Sequence, residues 1–152
     1  MEWYGLYQVS EAHRRCNEIT SIVLDALPTN HRDRVKMTYM ELLANALQAS
    51  ALHGGQEIEM VWTLEVHRLS LRLTNQGVEF TPTSHQFVMP DICAERGRGL
   101  PMAIRFSNAL HYHHEDGNTI VTAHWNIPEY RRSSPFSRNR RRVSWGFGGD
   151  VA

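Results

Sequence analysis

The chain opens with a strand-like segment and continues into a segment whose apolar residues recur at helical spacing. Residues 2–9 are rich in aromatic side chains and predict an edge strand. Over residues 11–27, apolar side chains recur every three or four positions, which predicts an amphipathic helix. Ser10 stands just before this helix and resembles an N-cap residue.

A second helix is predicted over residues 31–53, with start and stop signals at its ends. Asn30 with Asp33 resembles a capping box, and Gly54–Gly55 is typical of a helix C-terminus. Within the helix, polar residues three or four positions apart form one stripe. The stripe faces either water or a polar site, because an unpartnered buried carboxylate costs on the order of several kcal/mol. Its members are Thr38, Glu41, Asn45 and Gln48.

The second half of the chain predicts two hairpins with a long loop and a short helix between them. The first hairpin turns around His67–Arg68, and the second turns around Glu115–Asp116–Gly117–Asn118. Residues 76–97 lack a clear period, and a long ordered loop in a compact domain is usually functional. A third helix is predicted to start near Gly99. The four predicted strands are residues 57–66, 69–75, 108–114 and 119–127.

This order of elements predicts the fold class α+β. It predicts a two-layer α/β sandwich, in which a mixed, mostly antiparallel sheet carries about three helices on one face. The 152 residues suit one domain, which is predicted over residues 1–128. Residues 129–152 are rich in Arg, Ser and Gly and are expected to form a flexible basic tail.

Charge and cysteine content add two expectations. Residues 131–152 hold six arginines and one aspartate, whereas residues 1–130 hold ten basic and fifteen acidic side chains. The tail could therefore fold back on the acidic domain or contact nucleic acid. Nucleic acid is the less favoured of these two partners. Cys16 and Cys93 form no motif, and no apolar run of about 18 residues predicts a membrane span. Both observations predict a cytoplasmic protein with reduced thiols.

Four short segments carry the candidate chemistry. Glu41 and Asn45 lie four positions apart on the second helix, so their side chains point the same way. Residues 73–80, LTNQGVEF, combine a strand end with a glycine turn, and residues 116–121, DGNTIV, run from a turn into a strand. Residues 95–106, ERGRGLPMAIRF, place two glycines around an arginine just ahead of a helix. Such an arrangement favours an anion such as a phosphate.

In this order the four segments resemble the sequence boxes of the GHKL ATPase superfamily, whose domain has the Bergerat fold. Within it they look most like the anti-sigma-factor serine/threonine kinases of bacterial partner switching. The resemblance covers about residues 5–127. Residues 41–46 are similar to the E-x-x-x-N-A box, and residues 95–100 are similar to the RGxGL box. Residues 75–80 and 117–119 stand where the superfamily has D-x-G-x-G-F and G-G-T.

The resemblance implies that the chain binds ATP and Mg²⁺, and it gives each matched residue a role. Glu41 would be the catalytic general base, and Asn45 would ligate the Mg²⁺ that bridges the ATP phosphates. Around the adenine, Asn75 would accept the amino group, Gly77 would allow close backbone approach and Thr119 would join the polar network. The phosphates would be covered by Arg96, Gly97, Arg98, Gly99 and Leu100, and a mobile lid would span residues 78–97.

Three positions depart from the superfamily pattern. Asn75 replaces an aspartate, which removes a charge from the adenine contact and predicts roughly tenfold weaker ATP binding, or an altered base preference. Glu79 replaces the second glycine of its box and adds bulk and negative charge near a phosphate site. Ala49 stands where the serine kinases usually have a histidine.

These features support two main functional hypotheses. In the first, the chain is an ATP-dependent protein serine/threonine kinase that phosphorylates a small antagonist protein and sequesters a sigma factor or another regulator. In the second, it is a degenerate, non-catalytic relative that regulates a partner by binding alone. A third and less favoured hypothesis is the catalytic domain of a histidine kinase, for which Glu11–Ala12–His13–Arg14 is the nearest approach to an acceptor motif upstream.

Aromatic residues and histidines complete the set of candidates. The resemblance implies a homodimer that forms through the N-terminal strand, where Trp3 and Tyr4 are expected to pack on the sheet edge or on a dimer partner. His111 and His113 share one face of a predicted strand, and His114 points to the other face. This arrangement predicts solvated hairpin histidines rather than a metal site.

Overall fold

Six strands and three helices make up the described structure, a computed structural model that covers residues 1–80, 99–128 and 143–145. It confirms each predicted strand and helix and adds a short strand near the C-terminus. Most of the predicted loop and most of the predicted tail lie outside the described residues. The elements are β1 Glu2–Gln8, α1 Val9–Asp25, α2 Thr29–His53, β2 Glu57–Glu65, β3 Arg68–Gln76, α3 Gly99–Phe106, β4 Ala109–Glu115, β5 Asn118–Asn126 and β6 Val143–Trp145.

The strands form one sheet in the order β4-β5-β3-β2-β1-β6. Neighbouring strands are antiparallel except that β6 runs parallel to β1, where Trp3 pairs with Val143. In the middle of the sheet, Leu71 pairs with Trp62 on one side and with Ala123 on the other. The mixed, mostly antiparallel sheet that the sequence predicts is therefore confirmed.

Alternate side chains of the strands lie against the helices, which form the second layer of a two-layer sandwich. On β3, Leu71 is fully buried whereas its neighbour Arg72 is exposed. Trp62 of β2 stacks on Trp125 of β5, with ring centroids 5.8 Å apart. Burying each large apolar side chain contributes about 1.5–3 kcal/mol, so this cluster holds the two long helices on the sheet. From the helices it includes Ala12, Cys16, Ile19, Val23, Val35, Tyr39, Leu42 and Ala46.

The N-terminal aromatic residues occupy two different environments. Trp3 is 2% exposed and belongs to the core. Tyr4 points to the other face of the sheet, where its hydroxyl donates to Oε2 of Glu59 at 3.0 Å. The prediction of an edge strand here is wrong, because β6 pairs with the outer side of β1.

Both long helices begin earlier than predicted, and the predicted caps are wrong. α1 begins at Val9, whose N–H donates to the backbone oxygen of Gln56 at 2.8 Å, and this tertiary bond replaces a Ser10 cap. Asn30 and Asp33 lie inside α2, and in the described structure the residue before each helix makes no side-chain capping bond. None of the described helices has the length and apolar composition needed to cross a bilayer.

Residues with positive φ angles follow the end of α2 and form the turns of both hairpins. Gly54 has φ +76°, and the N–H of Gly55 donates to the backbone oxygen of Ser50 at 2.9 Å, which confirms the predicted helix end. The first hairpin turns at Val66–His67, one residue earlier than predicted, with φ +65° at the histidine. The second turns at Asp116–Gly117, as predicted.

Candidate functional site

The polar stripe of α2 lies against α3 and β4. Thr38 is fully buried, and its hydroxyl donates to a backbone oxygen of α3 at 3.2 Å. Glu41 and Asn45 are half-buried, and the Asn45 amide influences the pKa of Tyr112 on β4. Gln48 at the end of the stripe is exposed. Three of the four members are therefore at least partly shielded from water.

Glu41 and Asn45 lie about one turn apart on the same face of α2, so their side chains are neighbours. Burial raises the pKa of the Glu41 carboxyl, and the neighbouring Asn45 amide opposes that rise. Burial also raises the pKa of Tyr112 to about 12, so its hydroxyl is neutral at physiological pH. Glu41 is thus a poorly solvated carboxylate whose pKa has moved towards neutrality, as suits a general base.

Asn75 lies near the end of β3, where its side chain is held against α2. It is 2% exposed and pairs with Thr119 of β5. Its Nδ2 atom donates to the backbone oxygen of Ala46 at 2.7 Å and to Oγ of Ser50 at 2.9 Å. A backbone oxygen can only accept, so the amide nitrogen must face α2. The acceptor atom of the neutral amide, Oδ1, therefore takes no part in either of these two hydrogen bonds.

Thr119 connects β5 to the segment that follows β3. Its buried hydroxyl donates to the backbone oxygen of Val78 at 2.7 Å and accepts the N–H of Phe80 at 3.0 Å. Beside it, Oδ1 of Asn118 accepts the N–H of Gly77 at 2.8 Å. Gly77 has φ +73°, which side-chain-bearing residues rarely adopt. The predicted adenine residues therefore meet where β3 and β5 pair.

The predicted phosphate-covering residues fall at the start of α3 and just before it. Gly99 is the first residue of α3 and Leu100 is the second. α3 packs beside α2 through the hydrogen bond from Thr38. Outside the described residues lie Arg96, Gly97 and Arg98, together with most of the predicted lid.

The other sequence candidates lie around this region. Glu79 is exposed, so its side chain adds little bulk to the interior, and Ala49 is buried. His111 and His113 are exposed on β4, and His114 lies 3.3 Å from the hydroxyl of Thr119. Within residues 1–80, 99–128 and 143–145, no three His, Cys, Asp or Glu side chains are grouped so that they could hold a metal ion.

A cleft of about 750 Å³ lies apart from this region, between α1 and α2. Leu24, Leu43 and Leu47 line it, with Lys36 and His13 among its polar residues. Its described lining includes neither the carboxylate nor the amides of the candidate site. This cleft is therefore distinct from the predicted nucleotide site.

A helix stripe with a carboxylate and an amide, a second amide at a strand end and a glycine turn thus lie around one part of the sandwich. The family model of the histidine kinase-like ATPase domain matches residues 6–125. The chain belongs to this family. No curated protein matches its sequence. Membership of the histidine kinase-like ATPase family, which is of GHKL type, implies ATP binding, usually with Mg²⁺.

The donor groups of this ATPase domain fit such a ligand. Mg²⁺ prefers oxygen ligands, keeps several waters and takes its remaining ligands mainly from phosphates and one or two side chains. Asn45 offers an amide oxygen next to the Glu41 carboxylate. At the other end, Asn75 offers an acceptor for an exocyclic amino group. The described residues therefore include oxygen groups of the kinds that a cation and an amino group require.

Sequence reasoning missed two residues that shape the site of this ATPase domain, Tyr112 and Ser50. The ring of Tyr112 lies edge-on to Phe80 with centroids 6.0 Å apart. This contact has no sequence signal, because it depends on where β4 is placed in the sheet. Ser50 had a signal, since the amide that replaces an aspartate at Asn75 brings two N–H groups that need acceptors.

Proposed function

We propose that this histidine kinase-like ATPase domain is an ATP-dependent protein serine/threonine kinase of the partner-switching type. The observation that carries the proposal is the half-buried pair of Glu41 and Asn45 on one face of α2. A carboxylate beside an amide oxygen allows a proton acceptor and a cation ligand to act at one point. The RGRGL segment before and within α3 supports phosphate binding.

In this proposal Glu41 accepts the proton of the serine or threonine hydroxyl that is phosphorylated. Its raised pKa makes it a stronger base than an exposed carboxylate. Asn45 would hold the Mg²⁺ of bound Mg²⁺-ATP. The nucleotide would supply the phosphoryl group and leave as ADP, and the Mg²⁺ would neutralise phosphate charge. Arg96, Gly97, Arg98, Gly99 and Leu100 are proposed to cover the phosphates.

Asn75 is proposed to select adenine. With its amide nitrogen bonded to Ala46 and Ser50, its Oδ1 can accept a bond from the amino group of adenine. Guanine carries a carbonyl oxygen at the same position, which would meet Oδ1 as a second acceptor. The Asn75 amide, oriented by these two hydrogen bonds, therefore favours ATP over GTP. As a neutral acceptor, it binds the amino group more weakly than a carboxylate would.

The proposed partners are proteins. We infer a sigma factor or another regulator that is sequestered, and a small antagonist that is phosphorylated, all in the cytoplasm. We also propose a homodimer. Because β6 occupies the outer side of β1, a dimer formed by pairing of the β1 strands would require β6 to leave.

Thermal unfolding with Mg²⁺-ATP, Mg²⁺-ADP and Mg²⁺-GTP tests nucleotide binding on the wild type and on Asn45→Ala. At tenfold excess over Kd, binding adds about 1.4 kcal/mol, which raises the Tm by roughly 3–5 °C. We expect that rise for ATP and ADP, a smaller one for GTP, and less dependence on Mg²⁺ in Asn45→Ala. Glu41→Ala should bind ATP yet transfer no phosphate to an antagonist protein, measured by mass spectrometry.

A non-catalytic regulator with the same fold is the second candidate. The observation in its favour is Asn75, whose neutral amide weakens the adenine contact and is engaged with the fold itself. This candidate predicts that no nucleotide changes the Tm. A nucleotide-dependent Tm together with phosphate transfer that requires Glu41 would eliminate it.

A further inference from the structure

We propose that the cleft between α1 and α2 is a docking site for an amphipathic helix of a partner protein, about three turns long, with carboxylates at both ends. The cleft has a volume of about 750 Å³, and it lies apart from the candidate nucleotide site. The inference therefore goes beyond the proposed function, and it does not depend on nucleotide binding.

The length of the partner helix follows from the two stretches that line the cleft. The lining of α1 runs from His13 to Leu24, and that of α2 runs from Lys36 to Leu47. At a rise of about 1.5 Å per residue, each stretch is about 16 Å long. A helix of roughly three turns, or about 12 residues, has the same length and fills the cleft from end to end.

The wall that α2 contributes is apolar, and its rim is exposed. Leu43 is buried and Leu47 is half-buried, whereas Met40 is 55% exposed. Met37 precedes Met40 by three positions, so it lies beside it on the helix surface, and it is 46% exposed. Methionine side chains are unbranched and adapt to a ligand, which suits the rim of a groove that binds the apolar face of a helix.

The polar side chains on the floor of the cleft already have partners within the fold. The hydroxyl of Tyr39 donates to Oδ1 of Asn17, and Oγ1 of Thr20 accepts Nε1–H of Trp62 at 3.2 Å. Oγ of Ser21 donates to the backbone oxygen of Asn17 at 3.0 Å. The floor therefore brings no charged group to a ligand, and it favours apolar side chains.

Two basic side chains stand at opposite ends of the cleft. Residues 26–28 join α1 to α2, and so short a connection makes the helices antiparallel neighbours. His13 therefore lies towards the Leu47 end, and Lys36 lies towards the Leu24 end. Both are exposed, and neither makes a hydrogen bond or an ion pair with another described residue. One carboxylate can pair with Lys36, and a second can accept an imidazole N–H from His13.

Charge and shape separate this occupant from two others. The arginine-rich segment over residues 131–152 would bring more positive charge to Lys36 and His13. A second copy of the chain would place one concave cleft against another about a two-fold axis, and neither would fill the other. A partner helix with an apolar face and acidic ends satisfies both the shape and the charge of the cleft.

The test uses a synthetic stapled helical peptide of about 12 residues, with leucines at i, i+3, i+4 and i+7 and glutamates at both ends. Its Kd is measured by fluorescence anisotropy without nucleotide. Met40→Glu places a charge on the apolar rim and should weaken binding about tenfold or more. Leu52→Glu is the matched control, because Leu52 is an exposed apolar residue of α2 outside the cleft lining. It should change the Kd less than about twofold, and both variants should keep the Tm of the wild type.

A charge exchange tests the ends of the cleft. Lys36→Glu should weaken binding of the acidic peptide about three- to tenfold, and it should strengthen binding of a second peptide that has lysines in place of the glutamates. Equal effects on the two peptides would overturn the charge complementarity on which the proposal rests.

Three other results would also overturn the docking site. They are a wild type that binds neither peptide, equal losses in Met40→Glu and Leu52→Glu, and a wild-type dimer in sedimentation that Met40→Glu converts to monomers. The last result would assign the cleft to a second copy. Because the peptide is measured without nucleotide, each of these results leaves the proposed function standing. Failure of nucleotide binding would equally leave the docking site standing.

Discussion

The side-chain nitrogen of Asn75 lies 2.7 Å from the backbone oxygen of Ala46, which joins the end of β3 to the middle of α2. An aspartate at this position would place a carboxylate oxygen against that carbonyl oxygen, and only the Ser50 hydroxyl could donate to it in place of the two bonds that the amide makes. Asn75→Asp should therefore lower the free energy of unfolding by about 2–3 kcal/mol at pH 8. Urea denaturation measures the loss.

The pH dependence of the Asn75→Asp variant provides its internal check. A buried carboxyl beside a carbonyl oxygen has a folded pKa above its unfolded value, so its contribution to stability falls as pH rises. The deficit should shrink at pH 5 or below, where the protonated carboxyl can donate to Ala46. Ser50→Ala, which removes one acceptor, should cost about 1 kcal/mol at both pH values. Equal stability of Asn75→Asp and wild type at pH 8 would contradict the bond.

Glu41→Gln should stabilise the fold, and the gain should grow with pH. Burial raises the pKa of Glu41 above the ordinary value of 4.5, so ionisation of this group opposes folding. Wild type and Glu41→Gln should therefore differ little below pH 4.5 and diverge as pH rises through the folded pKa of Glu41. Glu18→Gln, at an exposed carboxylate of α1, is the control. A stability difference that narrows with rising pH would refute the expected sign.

Gly55→Ala should destabilise the end of α2 by overpacking. An added Cβ would lie 2.5 Å from Cγ2 of Val78 and 2.9 Å from Oγ of Ser50, so neighbouring atoms must move, at a cost of about 1–3 kcal/mol. A double-mutant cycle with Val78→Ala should show that the two changes together cost less than their sum.

Gly54→Ala is the control for that cycle. No described atom lies within 4 Å of a Cβ at Gly54, so its cost of about 1–2 kcal/mol comes from φ +76° alone. Val78→Ala should then add to Gly54→Ala without coupling. Coupling of equal size at both glycines would show that Val78 acts through the helix end in general and not through contact with Gly55.

Cys16 should be unreactive in the native protein. Its side chain is fully buried, and burial raises the pKa of its thiol to about 12, so almost no thiolate is present at neutral pH. In a Cys93→Ser variant, labelling by a disulfide reagent should proceed at the rate at which the protein opens, and rapidly in denaturant. Immediate stoichiometric labelling under native conditions would contradict the burial of Cys16.

The periodic parts of the sequence predicted the fold because each period has one structural cause. Helical spacing over residues 11–27 and alternation over residues 69–75 both reflect burial of one face, and the structure confirms both. The predicted Ser10 cap is wrong because the N–H of Val9 donates to the backbone oxygen of Gln56, which lies far away along the chain. A capping signal describes only local partners, so it cannot anticipate a tertiary one.

The candidate site shows the same limit at the level of single side chains. The spacing of Glu41 and Asn45 within one helix predicts that they point the same way, and both are half-buried on α2. Their influence on the pKa of Tyr112 arises from two elements whose placement depends on the whole sheet. The local sequence pattern therefore predicts which side chains share a helix face. The register of the strands determines which side chain of the sheet lies near that face.

The pairing of β6 with β1 has a consequence for the order of events during synthesis. β1 is synthesised well before β6, because the two strands lie at opposite ends of the described sequence. Until β6 is made, the outer backbone groups of β1, beside its aromatic residues, are open to pairing with other chains. The nascent protein therefore carries an aggregation-prone edge that β6 of its own chain later covers.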